Sequence, residues 1–229
     1  MSLLETAQQA VKRALAQGAS DAECTIAEGN EFSVSVRKGE IEQLKEAGSR
    51  GMGIRVLVGQ RAGSAYTSDL TRDGLERMVA AAVDNASVTG EDPFNVMPEE
   101  FGSLDGDLGL FDPSIETWEA PVKIEAARRA EAAALERDAR ITNSEGGGCE
   151  SNTSARYFAN SRGFAGSYRS SSCGISVVPV AQDGEKMERD FWWTSGRGPG
   201  GLESPESVGI KAADRALRRL GARKVPTQK

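Results

Sequence analysis

EFSVSVRKGEIEQLKEAG, residues 31–48, is the stretch on which the fold turns. Phe32, Val34 and Val36 alternate with Ser33, Ser35 and Arg37, the period of two that gives a strand one apolar and one polar face. Lys38-Gly39 supplies a turn, and Ile41 and Leu44 lie in a return strand, so the stretch predicts a β-hairpin. Outward from it, GMGIRVLVGQRAGSAYTSD (51–69) repeats the device: a β-branched run from Ile54 to Val58, a turn from Gly59 to Gly63, and a strand through Ala65 to Thr67.

Helical spacing flanks these strands. Leu4, Ala7, Val11, Ala14 and Leu15 share one helix face that ends at Gly18. Leu75, Met78, Val79, Ala82, Val83 and Ala86 share another, with Thr71 as its expected N-cap. Between Met78 and Val122 there is no Lys or Arg, and Pro93, Pro98, Gly102, Gly106, Gly109 and Pro113 interrupt regular structure, which predicts a long acidic loop. A second Ala-rich helix opens at Pro121, where Glu125 and Arg129 are spaced to pair.

From about Ala139 the segments read as strands separated by Gly-containing turns, Gly146-Gly147-Gly148 among them, with Asp183-Gly184 a hairpin signal. A last helix opens at Ser204-Pro205 and carries Ala213, Ala216, Leu217 and Leu220 on one face before Gly221. The order predicts an α+β fold: antiparallel sheet or sheets with helices packed on one face. Gly53–Val58 and Gly174–Pro179 both precede a hairpin and then a helix, which is compatible with an internal α-β(4–5)-α duplication. The expected organisation is an α+β unit at 1–90, an acidic Pro/Gly-rich loop at 91–120, a second α+β unit at 121–222 packed on the first, and a tail at 223–229 leading to a further C-terminal domain.

Composition removes whole classes of chemistry. The chain holds no His, so a His-dependent zinc site, a Ser-His-Asp triad and a Cys-His pair all lack their imidazole. Its 28 basic and 34 acidic side chains argue against a nucleic-acid partner. Seven basic residues between Lys211 and Lys229 cluster at a helix C-terminus, where positive charge offsets the helix dipole. Cys24, Cys149 and Cys173 are odd in number and scattered, which fits a reduced, cytoplasmic setting. Glu5, Lys12 and Arg13 interrupt the N-terminal apolar residues, and no apolar run approaches the roughly 18 residues of a membrane span, so neither export nor a membrane partner is expected.

The short motifs carry little. Ser35-Val36-Arg37-Lys38 matches S-x-x-K on a strand, where Ser35 and Lys38 point to opposite faces, whereas that chemistry needs a helix start. Gly146-Gly147-Gly148 is followed by neither a Gly-Lys-Ser/Thr nor a helix, so a β-turn is the better reading than a phosphate loop. Asp105-Gly106-Asp107 opens like a calcium loop, but Gly109 stands at the fifth position. Phe191-Trp192-Trp193 places rings on both faces of one strand, one for the core and one for a helix or a partner surface. Acid–base catalysis by carboxylates alone, using Glu145, Glu188 or Asp190, needs no His and stays open.

Taken together, Ser33-Val34-Ser35-Val36-Arg37 with Gly39-Glu40-Ile41-Glu42, Gly63-Ser64-Ala65 with Thr67-Ser68-Asp69-Leu70, Arg140-Ile141-Thr142-Asn143-Ser144-Glu145-Gly146-Gly147, Asn160-Ser161-Arg162-Gly163, Met187-Glu188-Arg189-Asp190 and the ending Arg218-Arg219-Leu220 to Arg223-Lys224 carry a resemblance. The chain resembles the N-terminal half of the TldD/PmbA family, most closely its PmbA (TldE) branch, described as modulators of DNA gyrase and associated with metal-dependent proteolysis and peptide maturation. The resemblance implies that the metal-binding HExxxH helix belongs to the C-terminal half of the TldD branch and that the PmbA branch lacks it and pairs with TldD. It therefore implies no catalytic, cofactor or metal residue in this chain, with zinc expected only in a TldD-type partner.

The expected function is the non-catalytic, substrate-confining portion of a PmbA/TldE-like subunit. The sheet of residues 31–67 and 150–195 would build a chamber with a TldD-like subunit or a second copy, and an edge strand would hold an extended peptide. The alternative is a truncated, stand-alone interaction module without a proteolytic role.

Overall fold

The computed structural model describes residues 2–99, 101–102, 106–223 and 225–227. Helix α1 (Leu3–Ala16) is opened by a capping box in which the Glu5 amide donates to the Ser2 hydroxyl at 3.2 Å and the Ser2 amide donates to the Glu5 carboxylate at 2.7 Å. Strands β1 (Asp21–Arg37), β2 (Glu40–Val58) and β3 (Arg61–Thr67) follow, then α2 (Arg72–Val88), whose N-cap is Thr71, accepting from the Gly74 amide. After the loop come α3 (Ala120–Glu136), β4 (Ile141–Asn160), β5 (Ala165–Asp183), β6 (Lys186–Arg189), β7 (Trp192–Gly196) and α4 (Pro205–Arg219), capped by Ser204.

The strands form one sheet in the order β3-β2-β1-β4-β5-β6, with β7 also paired to β5. β1 and β2 are joined by the two residues Lys38 (φ 52°) and Gly39 (φ 80°), both left-handed as a tight hairpin turn requires. Along β1 and β4, Val36 lies beside Gly146 and Val34 beside Gly148, residue numbers running in opposite senses, so this pair is antiparallel too. The α+β expectation holds, including the antiparallel sheet.

The chain divides into two compact units interleaved in sequence: residues 1–29, 48–108 and 154–169 form the first, and 30–47, 109–153 and 170–229 the second. In the first, α1 and α2 close over Ala22, Cys24 and Ile26 of β1 and Met52, Ile54 and Val56 of β2. In the second, α3 and α4 close over Phe32, Val34 and Val36 of β1, Cys149 of β4 and Ile175 and Val177 of β5. The alternation that announced the hairpin is thus the core-facing row of β1 in both units, residues 22, 24, 26 and then 32, 34, 36.

Several local expectations change. The two strands read around Leu44 and Ile54 are one strand, β2, running through Gly48, Gly51 and Gly53. The turn after Val58 is two residues long, Gly59-Gln60, because Val58 pairs with Arg61 and Val56 with Gly63. Gly146-Gly147-Gly148 is not a turn but the middle of β4. A Cβ on Gly147 would fall 2.5 Å from the Ala127 carbonyl oxygen, so glycine is there to let α3 approach the sheet. Arg129 pairs with Glu206 of α4 at 2.7 Å rather than with Glu125.

Candidate functional surface

The residues singled out in the sequence are mostly occupied. Glu145 is ion-paired with Arg189, Glu188 with Arg219 at 3.4 Å, and Asp190 with Arg215 at 3.2 Å and Arg219 at 3.8 Å. Burial pushes the Asp190 carboxyl up, but the Phe191 amide with Arg215 and Arg219 outweighs it and holds the group below the usual aspartate range. Each of the three carboxylates thus faces an arginine, Glu188 and Asp190 sharing Arg219. Three residues of the basic C-terminal cluster are paired: Lys211 meets Glu203 at 2.7 Å, and Arg215 and Arg219 meet Asp190.

Ser35 lies on β1, and Lys38 in the turn donates its backbone amide to Glu131, so the S-x-x-K match brings no hydroxyl–amine pair onto a helix start. Asp105 of the calcium-like triplet lies outside the described residues, as do Lys224, Gln228 and Lys229 of the tail.

The cysteines are free and buried. Burial pushes the Cys24 and Cys149 thiols up to about 12 and raises Cys173, which keeps all three protonated and poorly nucleophilic. No three His, Cys, Asp or Glu side chains converge as a metal-binding group among the described residues. With no imidazole in the chain, a His-dependent zinc site lacks its ligand here.

Two buried charges of the second unit have structural partners. Glu131 of α3 is 1% exposed and accepts from the Lys38 and Gly39 amides, both at 2.9 Å, clamping the tip of the β1–β2 hairpin. Lys123 of α3 is 8% exposed, with its ammonium 4.6 Å from the Phe32 ring centroid and 5.5 Å from that of Trp118. Burial lowers its pKa below the usual ammonium value, partly offset by Cys149, Glu46 and Cys173.

What remains accessible lies on the other face of the second unit's sheet. Ser176 pairs across the strands with Trp193, and Gly174 with Ser195. Ser176 Oγ lies 3.1 Å from where a Gly148 Cβ would be, and the Glu150 carboxylate (Oε1) lies 3.7 Å from where a Gly174 Cβ would be. Two rows of outward side chains result, Gly148-Ser176-Trp193 and Glu150-Gly174-Ser195, crossing β4, β5 and β7. The missing Cβ atoms leave a depression of about 160 Å³, room for roughly five waters at their liquid volume.

Trp193 walls this depression and stacks on Phe191, with ring centroids 5.5 Å apart and an interplanar angle of 27°. Both rings are about half exposed. Trp192, between them in sequence, faces the helices instead: its indole N–H donates to Glu203 at 3.4 Å. The expected division of the rings between core and surface therefore holds. The Glu150 carboxylate is exposed and has neither ion pair nor hydrogen-bond partner among the described residues.

A second accessible feature is an edge. β3 pairs only with Met52–Val58 of β2, while every residue from Glu40 to Arg50 is exposed. Within the second unit, Glu40–Ala47 thus offers backbone N–H and C=O groups with no strand beyond β2 among the described residues, together with half-exposed Ile41 and Leu44. The first unit has a wider depression of about 570 Å³ beside Arg13, Arg72 and Arg77. Those arginines all have acidic partners, Arg13 and Arg72 sharing Glu76 and Arg77 meeting Asp69.

The sequence led to an edge strand without saying which one, and it did not point to the depression. The available signal was a set of small outward residues: Gly148, in a triplet read as a turn, and Gly174 and Ser176 in a segment read as a strand.

Residues 22–86 match the family model for PmbA/TldA metallopeptidase domain 1, and residues 113–220 that for the PmbA/TldA metallopeptidase central domain. Among curated proteins, the chain is 40% identical over 228 residues to Metalloprotease PmbA of Escherichia coli O157:H7, covering 97% of this chain and 50% of that protein. It is 35% identical over 225 residues to the Metalloprotease PmbA homolog of Haemophilus influenzae, covering 96% and 48% respectively. The chain spans about half the length of the curated relatives it matches.

Among solved structures, a protein of Bacteroides thetaiotaomicron described as a candidate modulator of DNA gyrase aligns with a TM-score of 0.88 at 27% identity, over 96% of this chain and 51% of that one. TldE from Thermococcus kodakarensis shares the fold, with a TM-score of 0.78 at 16% identity over 93% and 47%.

Proposed function

Because the chain belongs to the PmbA/TldD metallopeptidase family, we propose that it is the non-catalytic, substrate-confining portion of a PmbA/TldE-type subunit in a peptide-processing metalloprotease. The zinc and the hydrolytic step belong to a TldD-type partner. The observation that carries the proposal is the open edge of β2: Glu40–Ala47 is exposed on both faces and unpaired on its outer side among the described residues.

Such an edge binds an extended peptide through main-chain hydrogen bonds, whatever its sequence, which suits a protein that must hold many unfolded substrates. Long exposed edges invite unwanted pairing, so one left open is a cost that a binding role accounts for. Placement in the cytoplasm, supported by three free and buried thiols, belongs to the same proposal. No helix among the described residues is long and apolar enough to cross a membrane.

Proline scanning tests the edge. Gln43→Pro and Leu44→Pro each delete one amide, and successive amides of a strand point to opposite sides, so one of the two faces the open edge. That variant is expected to lose at least about tenfold in affinity for an unstructured peptide, measured by fluorescence anisotropy. Unchanged affinity in both would overturn the edge. In the matching assay, the chain alone leaves the peptide intact, and adding it to a TldD-type subunit raises cleavage. Peptide binding without any such rise would favour the stand-alone module.

A further inference from the structure

The edge explains how a peptide is held regardless of its sequence; the depression on β4, β5 and β7, further in on the same unit's sheet with β1 between it and the edge strand, carries a preference. Resting on the peptide-confining function above, we propose that the face formed by Glu150, Gly174, Ser176 and Trp193 is a subsite for one cationic side chain, Lys or Arg, of the bound peptide.

Glu150 is the only formally charged side chain lining the depression, and it has no partner among the described residues. Its carboxylate leans over Gly174, and Trp193 stands one strand across and two residues along, because Gly174 pairs with Ser195 and Ser176 with Trp193. By sheet spacing that diagonal is about 8 Å. A cation between the two lies within ion-pair reach of the carboxylate, about 4 Å, and within about 6 Å of the ring, where the face of an indole attracts positive charge.

Phe191 stacks on the Trp193 ring, which reduces the ordering that binding must impose on it. Gly148 and Gly174 leave the floor low enough for a long aliphatic stem, and the hydroxyls of Ser176 and Ser195 border it with polar contacts. An anionic side chain would meet Glu150, and no lining side chain offers it a cation. The buried Lys123 belongs to the opposite, helix-covered face with Phe32.

The test uses the full chain and fluorescein-labelled unstructured decapeptides that differ only at a central residue: Lys, Arg, norleucine or Glu. Anisotropy titration is expected to give the Lys and Arg peptides about tenfold tighter binding than norleucine at low salt, with the gap shrinking as salt rises. Glu150→Gln should erase that gap while leaving norleucine affinity unchanged, and Glu150→Lys should reverse the order in favour of the Glu peptide. Trp193→Phe, which keeps a ring but weakens its attraction for a cation, should lower the gap about threefold.

Equal binding of Lys and norleucine peptides, or a gap untouched by Glu150→Gln in a variant with unchanged far-ultraviolet circular dichroism, would overturn the subsite. If the norleucine peptide still binds and the β2 proline variants still abolish it, the confining function stands and only the subsite fails. Binding of no peptide at all overturns both.

Discussion

In the first unit the side chains withdrawn from water are almost all apolar, and the only buried polar ones among the described residues are Thr6 and Asn160. The second unit, built from the same kinds of elements, buries Lys123, Glu131, Ser144, Ser151, Ser171 and Thr194. Both use a glycine to bring a helix onto the sheet: Gly63 under α2 in the first, Gly147 under α3 in the second. They differ in what the helix carries there. α2 brings Leu75, Met78 and Val79, whereas α3 brings small alanines flanked by Lys123 and Glu131. Buried polar groups cost stability unless satisfied, and that cost is concentrated in the unit that also carries the open edge and the unpaired Glu150.

Breaking what the units share should have the largest effect. A Cβ on Gly63 would come within 2.0 Å of the Ala82 carbonyl oxygen and 2.4 Å of the Ala86 amide. Gly63→Ala must displace helix backbone, and about 3 kcal/mol or more of destabilisation is expected. Gly147→Ala, at 2.5 Å from the Ala127 oxygen, should cost a similar amount. Urea denaturation midpoints would measure both, and tolerance of either alanine would refute the close approach in that unit.

Next comes a feature of the second unit alone. Glu131→Ala removes the acceptor of two charge-assisted hydrogen bonds and should cost about 2 kcal/mol. Hydrogen exchange at the Lys38 and Gly39 amides should accelerate selectively, while exchange in α1 and α2 stays as in the wild type.

Asp190→Asn should cost about 1 kcal/mol at neutral pH, from loss of the contacts to Arg215 and Arg219. The folded-state pKa of Asp190 lies below the ordinary value, so the stabilisation is fully present above about pH 4. It is lost as pH falls through the still lower folded value. Thermal melts of wild type and variant should therefore converge on acidification, and a gap that persists at pH 2 would contradict the assignment.

Smallest is Lys123→Met, expected within about 0.5 kcal/mol of wild type near neutrality, since lost attraction to Phe32 and Trp118 offsets relief of a buried charge. Burial lowers the folded pKa of Lys123 below 10.5. The unfolded chain therefore binds the proton more tightly, and stability should rise with pH between the folded value and 10.5. The methionine variant should lack that rise, as denaturation series across the alkaline range would show.

The hairpin at 31–48 was legible because its information is local: alternation on β1, and a turn whose two residues accept left-handed angles. The helix caps Thr71 and Ser204 were legible for the same reason. Glycine was where sequence reasoning failed, because its meaning depends on what approaches it. Gly146–Gly148 looks like a turn until the Ala127 carbonyl of α3 is placed over Gly147. Arg129 has Glu125 at helical spacing but finds Glu206 of α4.

The subsite was invisible for a deeper reason. Glu150, Gly174 and Trp193 converge only once the registers of β4, β5 and β7 are fixed, and a one-residue slip would turn each row to the other face.

The claim that the second unit is the peptide-facing one has a direct measurement: hydrogen–deuterium exchange of the chain with and without a saturating Lys-containing unstructured decapeptide. The account predicts slowed exchange within Glu40–Ala47, where amides now lack a strand partner on the outer side, and no change in α1, α2 or β3. Protection confined to the first unit, with Glu40–Ala47 exchanging as fast as in the free chain, would contradict it.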